Sequence, residues 1–251
     1  MKHLGLFEGI GGFSLAARWM GWETVAWCEI NPFCQKVLKH HFPEAEPLTD
    51  IKQTDFTAYA NRIDILTGGF PCQPYSTAGK RLGKEDDRHL WPEMLRAIRE
   101  IKPVWVVGEN VRGLISWNGG MVFDEVQADL ENEGYEIIPF LLPACAVNAD
   151  HRRDRIWFVA YSNSFGRQRR ANKTQDKVSH KQLERFQPTD TWTYLSRPNS
   201  YNGKNGIPIG LDGSTFSKWR NETNKAAGNS IVPQVAYNIF KAIEQYELLN
   251  P

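Results

Sequence analysis

Cysteine is scarce in this chain. The four present, Cys28, Cys34, Cys72 and Cys145, form neither a CxxC pair nor a zinc-ligand spacing, which argues against a structural zinc site, and a reducing, cytoplasmic setting is the simplest expectation. No apolar run approaches the roughly 18 residues that a membrane span needs, and MKHLGLFEG at the start is too short for a secretory signal and reads as a first strand. There are no internal repeats. Net charge is nearly absent too, at +1, but its distribution is lopsided. Residues 151–225 hold 15 Lys and Arg against 6 Asp and Glu, a local balance of +9, which leaves −8 for the rest. A single basic cluster usually marks a solvated face; an asymmetry this large points to a polyanionic partner.

What is present is a regular alternation. Apolar, β-branched runs at 3–7, 24–29, 63–69, 104–110, 135–142 and 155–161 read as strands, with a weaker one near Leu48. Between them, 11–20, 31–42, 91–101 and 121–133 read as helices, the second opening on an Asn cap followed by proline. That order predicts an α/β domain with a mostly parallel sheet over 1–161. From 162 to 225 the chain turns polar, basic and rich in Asn, Gly, Ser and Thr, with no convincing period, and part of 166–182 reads as disordered. Helical periodicity returns over 232–249, so 226–251 is expected to pack back on the first domain as a turn and a helix.

Five motifs sit where such a fold places chemistry. FEGIGGFSLAA (7–17) follows the first strand and opens a helix, so its glycines let the backbone approach a ligand while helix-start amides face it. GIGGF departs from the GxGxxG dinucleotide pattern. Glu29, at the end of the second strand, stands where a carboxylate binds ribose hydroxyls, and Asp50 is placed to meet an adenine-like ring; acids at strand ends also serve as plain helix caps. In GGFPCQPYS (68–76), Pro71 and Pro74 stiffen the loop around Cys72. A buried inert thiol is the ordinary fate of a free cysteine, and Cys28 and Cys145 fit that fate better than Cys72. GEN (108–110) ends another strand on a carboxylate. HRRDR (151–155) supplies three arginines just before the last strand; Arg153 and Arg155, at alternate positions, are expected to point to one face, able to hold an anion or a base oxygen. AAGNSIVP (226–233) reads as a Gly-Asn-Ser turn before the final helix.

In this order the motifs resemble the cytosine-C5 DNA methyltransferase family, over most of 3–160 and again over 225–248, as a compact, phage-type or stand-alone member. GGFPCQPYS is the most specific of them, followed by FEGIGGFS, GENV and GNSIVP. The resemblance implies a Rossmann-like, S-adenosylmethionine-dependent methyltransferase fold with a small irregular target-recognition domain. It implies that Cys72 adds to C6 of a flipped cytosine, that Glu109 contacts the N3 edge, and that Arg153 and Arg155 hold the base and its O2. The matching cofactor positions are Phe7, Gly9, Gly11, Gly12, Glu29, Ile30, Asp50, Ile51, Pro71, Leu90, Asn229 and Ser230. No metal is implied.

DNA contacts are expected from Ser76 and Arg81, in a polar loop (76–90) expected to move and close over DNA. Arg197, Asn199, Asn202 and Lys204 in the recognition segment are further candidate readers. The implied partner is double-stranded DNA, for a monomeric enzyme with no stable protein partner; a cognate restriction endonuclease in the same system and an orphan enzyme both stay open. Two departures stand out: His151 occupies the usual Gln position, and the recognition segment of about 60 residues is short. A tRNA cytosine methyltransferase is the nearest alternative, although such members carry a PPCQPF-like segment and a CFT tripeptide that this chain lacks. A homologue that binds DNA without catalysis, and a thiol oxidoreductase, for which a second cysteine near Cys72 is missing, are the others.

Overall fold

The computed structural model describes residues 1–71, 90–162, 164–165, 207 and 215–250. Seven strands form one sheet: β1 (Lys2–Leu6), β2 (Glu23–Cys28), β3 (Glu46–Leu48), β4 (Ile65–Gly69), β5 (Trp105–Val111), β6 (Glu136–Pro143) and β7 (Asp154–Tyr161). Their spatial order is β3-β2-β1-β4-β5-β7-β6. All neighbours pair in parallel except around β7, which runs against both β5 and β6. The sheet is therefore mostly parallel, and β1 and β4 are neighbours in the middle of it. There the strand order reverses direction, and in such sheets the crevice outside the carboxyl ends of the switch-point strands is the ligand site.

Helices cover both faces. On one, α3 (Trp91–Ile101) and α4 (Met121–Asn132) bury Met94, Ile98, Val126 and Leu130 against Leu4, Leu6, Leu66 and Phe158. On the other, α1 (Gly12–Trp19) and α6 (Pro233–Leu249) pack Phe13, Ala16, Val235, Ile239 and Phe240 against Ile65, Val107 and Trp157. Successive strand residues feed opposite layers, as Ile65 and Leu66 show, because side chains alternate across a pleat. Each large aliphatic or aromatic side chain buried by α6 contributes roughly 1.5–3 kcal/mol, and Trp105 Nε1 adds a hydrogen bond to Glu247 at 2.9 Å.

Local chemistry sets several boundaries. Asn31 accepts from the backbone amides of Phe33 (2.8 Å) and Cys34 (3.2 Å), and Pro32 occupies the first turn of α2 (Pro32–His41), as the Asn-Pro signal predicts. The stretch read as aperiodic contains a helix that sequence reading missed, α5 (Phe216–Asn229). Among its described side chains, only Trp219, Thr223 and Ala226 are buried. Trp219 and Ala226 meet Phe33, Cys34 and Val37 of α2, together with Ile207. Three inward residues among polar ones give too weak a period to see; packing, not propensity, supports this helix. The boundary drawn at 225/226 falls inside it, and Gly228 and Asn229, read as a turn, belong to its last turn, with Ser230 as its extended C-cap.

Cys145 also departs from expectation. It is exposed, in a short 3-10 turn, whereas Cys28 and Cys34 are the buried pair. Burial pushes both of those thiols up to about 12, helped by the Glu29 carboxylate, so they stay protonated and inert. No helix among the described residues is long and apolar enough to cross a membrane, and none of their His, Cys, Asp and Glu side chains group as metal ligands.

Candidate functional site

The carboxyl ends of β1, β2, β4 and β5 lie side by side, and most of the described candidates sit there. Leaving β1, the chain turns through Phe7, whose φ of 52° is left-handed and strained for a residue with a side chain. Gly11, at φ 92°, caps α1 in the same region of backbone space and brings no side-chain acceptor to its first turn.

Glu29 stabilises this loop from β2. It is 9% exposed, and its Oε2 accepts from Gly9 N at 2.7 Å while Oε1 accepts from Asn31 N at 2.7 Å. Each oxygen keeps a second lone pair for a hydroxyl. Beside it Ile30 is 70% exposed, an apolar surface at a polar strand end. Asp50 begins the turn after β3, where its oxygens hold Lys52 N (2.9 Å) and the Gln53 side chain (3.1 Å). Ile51 is buried beneath it, and Arg96 from α3 donates to the Ile51 and Thr54 carbonyls while pairing with Glu93 and Glu100. Leu90 is half-buried at the start of α3.

A carboxylate, an exposed aliphatic side chain and a helix start whose cap is a bare glycine, with only the Ser14 amide taken from beneath by Glu8, fit a nucleoside carrying an amino-acid tail. The carboxylate suits ribose hydroxyls, Ile30 an aromatic base, and the helix start a carboxylate group.

Glu109 occupies the second half of the site. In the sheet register Gly69 faces Glu109, and Gly68 faces Gly108. The carboxyl is 8% exposed; its Oε1 lies 2.9 Å from Arg155 Nε, and its Oε2 lies 3.5 Å from where a Cβ on Gly69 would stand. Burial raises its pKa, against the opposing pull of the Arg155 and Arg153 guanidinium groups.

The two arginines do not share a strand face. β7 begins at Asp154, and Arg153 precedes it at φ 36°, so the alternation argument fails. Instead Arg153 Nη1 and Nη2 donate to the carbonyls of Gly228 (3.0 Å) and Ser230 (2.7 Å). Arg153 thus ties the end of α5 to the start of β7. That contact brings Ser230 and Ile231 against Gly12 of the loop, where a Cβ would lie 2.5 Å from Ile231 Cγ1 and 3.3 Å from Ser230 Oγ. Asn229 is exposed.

Two buried residues join the site that sequence reading passed over. Asn110 Nδ2 donates to the Phe70 carbonyl at 3.1 Å, fastening the chain just after β4 to the strand that carries Glu109. Its position in GEN was the one available signal. Glu8, between Phe7 and Gly9, is buried under the glycine loop; an acid inside FEGIGG was its signal. Pro71 is half-buried beyond Phe70. Cys72, Ser76, Arg81, Arg197, Asn199, Asn202 and Lys204 lie outside the described residues, as do the rest of the 76–90 loop before Leu90 and nearly all of the recognition segment up to residue 214.

A family model described as C-5 cytosine-specific DNA methylase matches residues 1–207. Over 165 residues the chain is 39% identical to Type II methyltransferase M.Eco47II of Escherichia coli, covering 64% of this chain and 40% of that protein. Over 135 residues it is 42% identical to Type II methyltransferase M.PspPI of Psychrobacter sp. (strain TA137), covering 53% and 32%. The chain thus spans less than half the length of these two relatives. In fold it is similar to the crystal structure of S. pombe Dnmt2 methyltransferase, with a TM-score of 0.55 at 22% identity over 65% of this chain and 51% of that one.

Proposed function

Since the chain belongs to the C-5 cytosine-specific DNA methylase family, we propose that it is a sequence-specific DNA cytosine-C5 methyltransferase. S-adenosylmethionine, when bound, supplies an electrophilic methyl group on its sulfonium. Glu29, Ile30, the loop at 7–12, Asp50, Ile51 and Ser230 would hold it at the carboxyl ends of β1 and β2. The observation that carries the reading is Glu109: a buried carboxyl, paired with Arg155 and directly across the sheet from Gly69, beside the root of the segment that leads through Pro71 to Cys72.

C5 of cytosine is not nucleophilic until something adds at C6, and a soft thiolate is suited to that addition. The Cys72 thiolate attacks C6 of a base flipped from the duplex, at a cost of a few kcal/mol recovered in pocket and backbone contacts. As charge builds on the ring, Glu109 donates a proton at N3, a role that its raised pKa suits. Arg155 fixes Glu109 and reaches toward O2; Arg153 acts from behind, through the segment that carries Ser230. After methylation, N3 returns its proton to Glu109, and loss of the C5 proton to solvent with departure of the Cys72 thiolate restores the C5–C6 double bond. The basic stretch at 151–225 supports a duplex DNA substrate and a recognition role for 162–225. A monomer in the bacterial or phage-infected cytoplasm, with or without a companion endonuclease, completes the reading.

The test is incubation with labelled S-adenosylmethionine and either duplex DNA or tRNA, followed by bisulfite sequencing of DNA from cells expressing the protein. Label in DNA with protection of cytosines in one sequence context is expected; label in tRNA alone, or none, overturns the proposal. Cys72→Ala should abolish transfer while DNA binding persists, and residual transfer would end the covalent mechanism.

A further inference from the structure

Beneath the glycine loop lies a carboxyl group that the proposed reaction does not use. Glu8 is 4% exposed. Its Oε1 accepts from Ser14 N at 2.7 Å, and its own N–H donates to the Cys28 carbonyl at 3.2 Å. Ser14 stands in the first turn of α1, whose cap, Gly11, has no side chain to offer. Glu8 thus supplies from below the acceptor that an Asp or Ser cap would supply in line. Its Oε2 lies 1.9 Å from where a Cβ on Gly5 would stand, so only glycine at that point of β1 admits the carboxyl. Both Glu8 Oε2 and Ser14 Oγ are buried without a hydrogen-bond partner.

The groups facing Glu8 come from three elements. From β2, Glu29 brings a second carboxylate to the same loop. From α1, Ser14 brings its amide and hydroxyl. From β1, His3 lies on the same side of Gly5 as Glu8, its Cε1 3.4 Å from where a Gly5 Cβ would stand; its ring nitrogens are taken by Thr24 (3.2 Å) and Thr67 (2.8 Å), and burial lowers its pKa to about 3, so it stays neutral near pH 7. Burial, with a smaller push from Glu29, raises the Glu8 pKa to about 7 against the pull of Ser14.

We propose that Glu8 is a proton-linked positioning residue: protonated, it holds the loop at 7–12 in the shape seen here, and on ionising it loosens that loop and weakens binding of the methyl donor. The second half of this statement rests on the S-adenosylmethionine reading above; the first does not. Protonation gives Oε2 a proton to offer, and Ser14 Oγ, the other unpartnered oxygen at this turn, is an acceptor that side-chain rotation can bring to it. An ionised one is a buried anion beside Glu29, and water relieves it only if the loop opens. From about pH 4.5 to 7 the folded chain keeps a proton that the unfolded chain has lost, so the Glu8 contribution to stability falls as pH rises through that window.

The experiment follows the 1H–15N shifts of Gly9, Gly11, Gly12 and Ser14 from pH 5.5 to 8.5, and the affinity for S-adenosylhomocysteine by calorimetry in the same buffers. In the wild type the loop amides should titrate together near pH 7, and affinity should fall about fivefold from pH 7 to 8, as the competent fraction does. Glu8→Gln, which keeps the acceptor but has no proton to lose, should abolish both dependences; titration of the ligand amine is common to both proteins and cancels in their ratio. Glu8→Ala should disorder the Ser14 amide at every pH. Loop shifts that are flat in the wild type, or an affinity ratio that does not change with pH, overturn the inference. A wild type whose loop titrates but which binds no ligand at any pH overturns the S-adenosylmethionine reading and the binding half of the inference, and leaves the loop half standing.

Discussion

Glu109 sits between opposing influences. Removal from water favours its neutral form and two guanidinium groups favour its charge, with burial prevailing. Arg155 therefore does more than orient the carboxyl: it keeps the carboxyl from becoming so weak an acid that its proton is never released. Glu109→Gln preserves shape and hydrogen-bonding reach but has no proton to give, so methyl transfer in a single turnover should slow by about 10²–10⁴-fold. An undiminished rate would remove Glu109 from the chemistry. Glu109 was legible in the sequence because it ends a β-branched run, VWVVGEN, and strand ends are where such sheets place reactive groups. Glu8 was marked only as an acid inside FEGIGG, since its importance lies in where its side chain is buried, which the neighbouring glycines do not disclose.

Among the elements, α5 shows how far a helix can depend on its partners. Trp219 and Ala226 dock on α2, next to Ile10 of the glycine loop, and Arg153 holds the carbonyls at its far end. This end needs a donor, because the last carbonyls of any helix lack intrahelical partners and carry partial negative charge. Hydrogen bonds from a charged donor contribute about 1.5–3 kcal/mol. Arg153→Met, which keeps the stem but removes the donors, should therefore raise the KM for the methyl donor about tenfold or more while kcat changes less. A fall confined to kcat would instead place Arg153 at the base. The alternation rule predicted a shared face for Arg153 and Arg155; it did not apply because β7 starts one residue too late, with Arg153 in left-handed backbone.

At the scale of the whole molecule, charge is the organising asymmetry. A nearly neutral chain concentrates its positive balance in 151–225, and DNA affinity should carry that signature. Neutralising Arg167, Arg169 and Arg170 together should lower the slope of log affinity against log salt by about 0.9 for each phosphate that is no longer neutralised, up to about 2.7. An unchanged slope and affinity would show that the basic stretch does not face the duplex.

The sequence by itself determined the succession of strands and helices, the Asn31-Pro32 helix start and the places where glycine, acid and proline interrupt the apolar runs. These are short-range matters of backbone freedom, capping and periodicity, decided within a few residues. Tertiary structure alone decided the order β3-β2-β1-β4-β5-β7-β6, the placing of Gly69 across from Glu109, the partners of Arg153 and the burial of Glu8. Each depends on elements far apart in the chain, up to 77 positions for Arg153 and Ser230, being desolvated together, and a carboxyl's charge is set by that surrounding rather than by its own residue type.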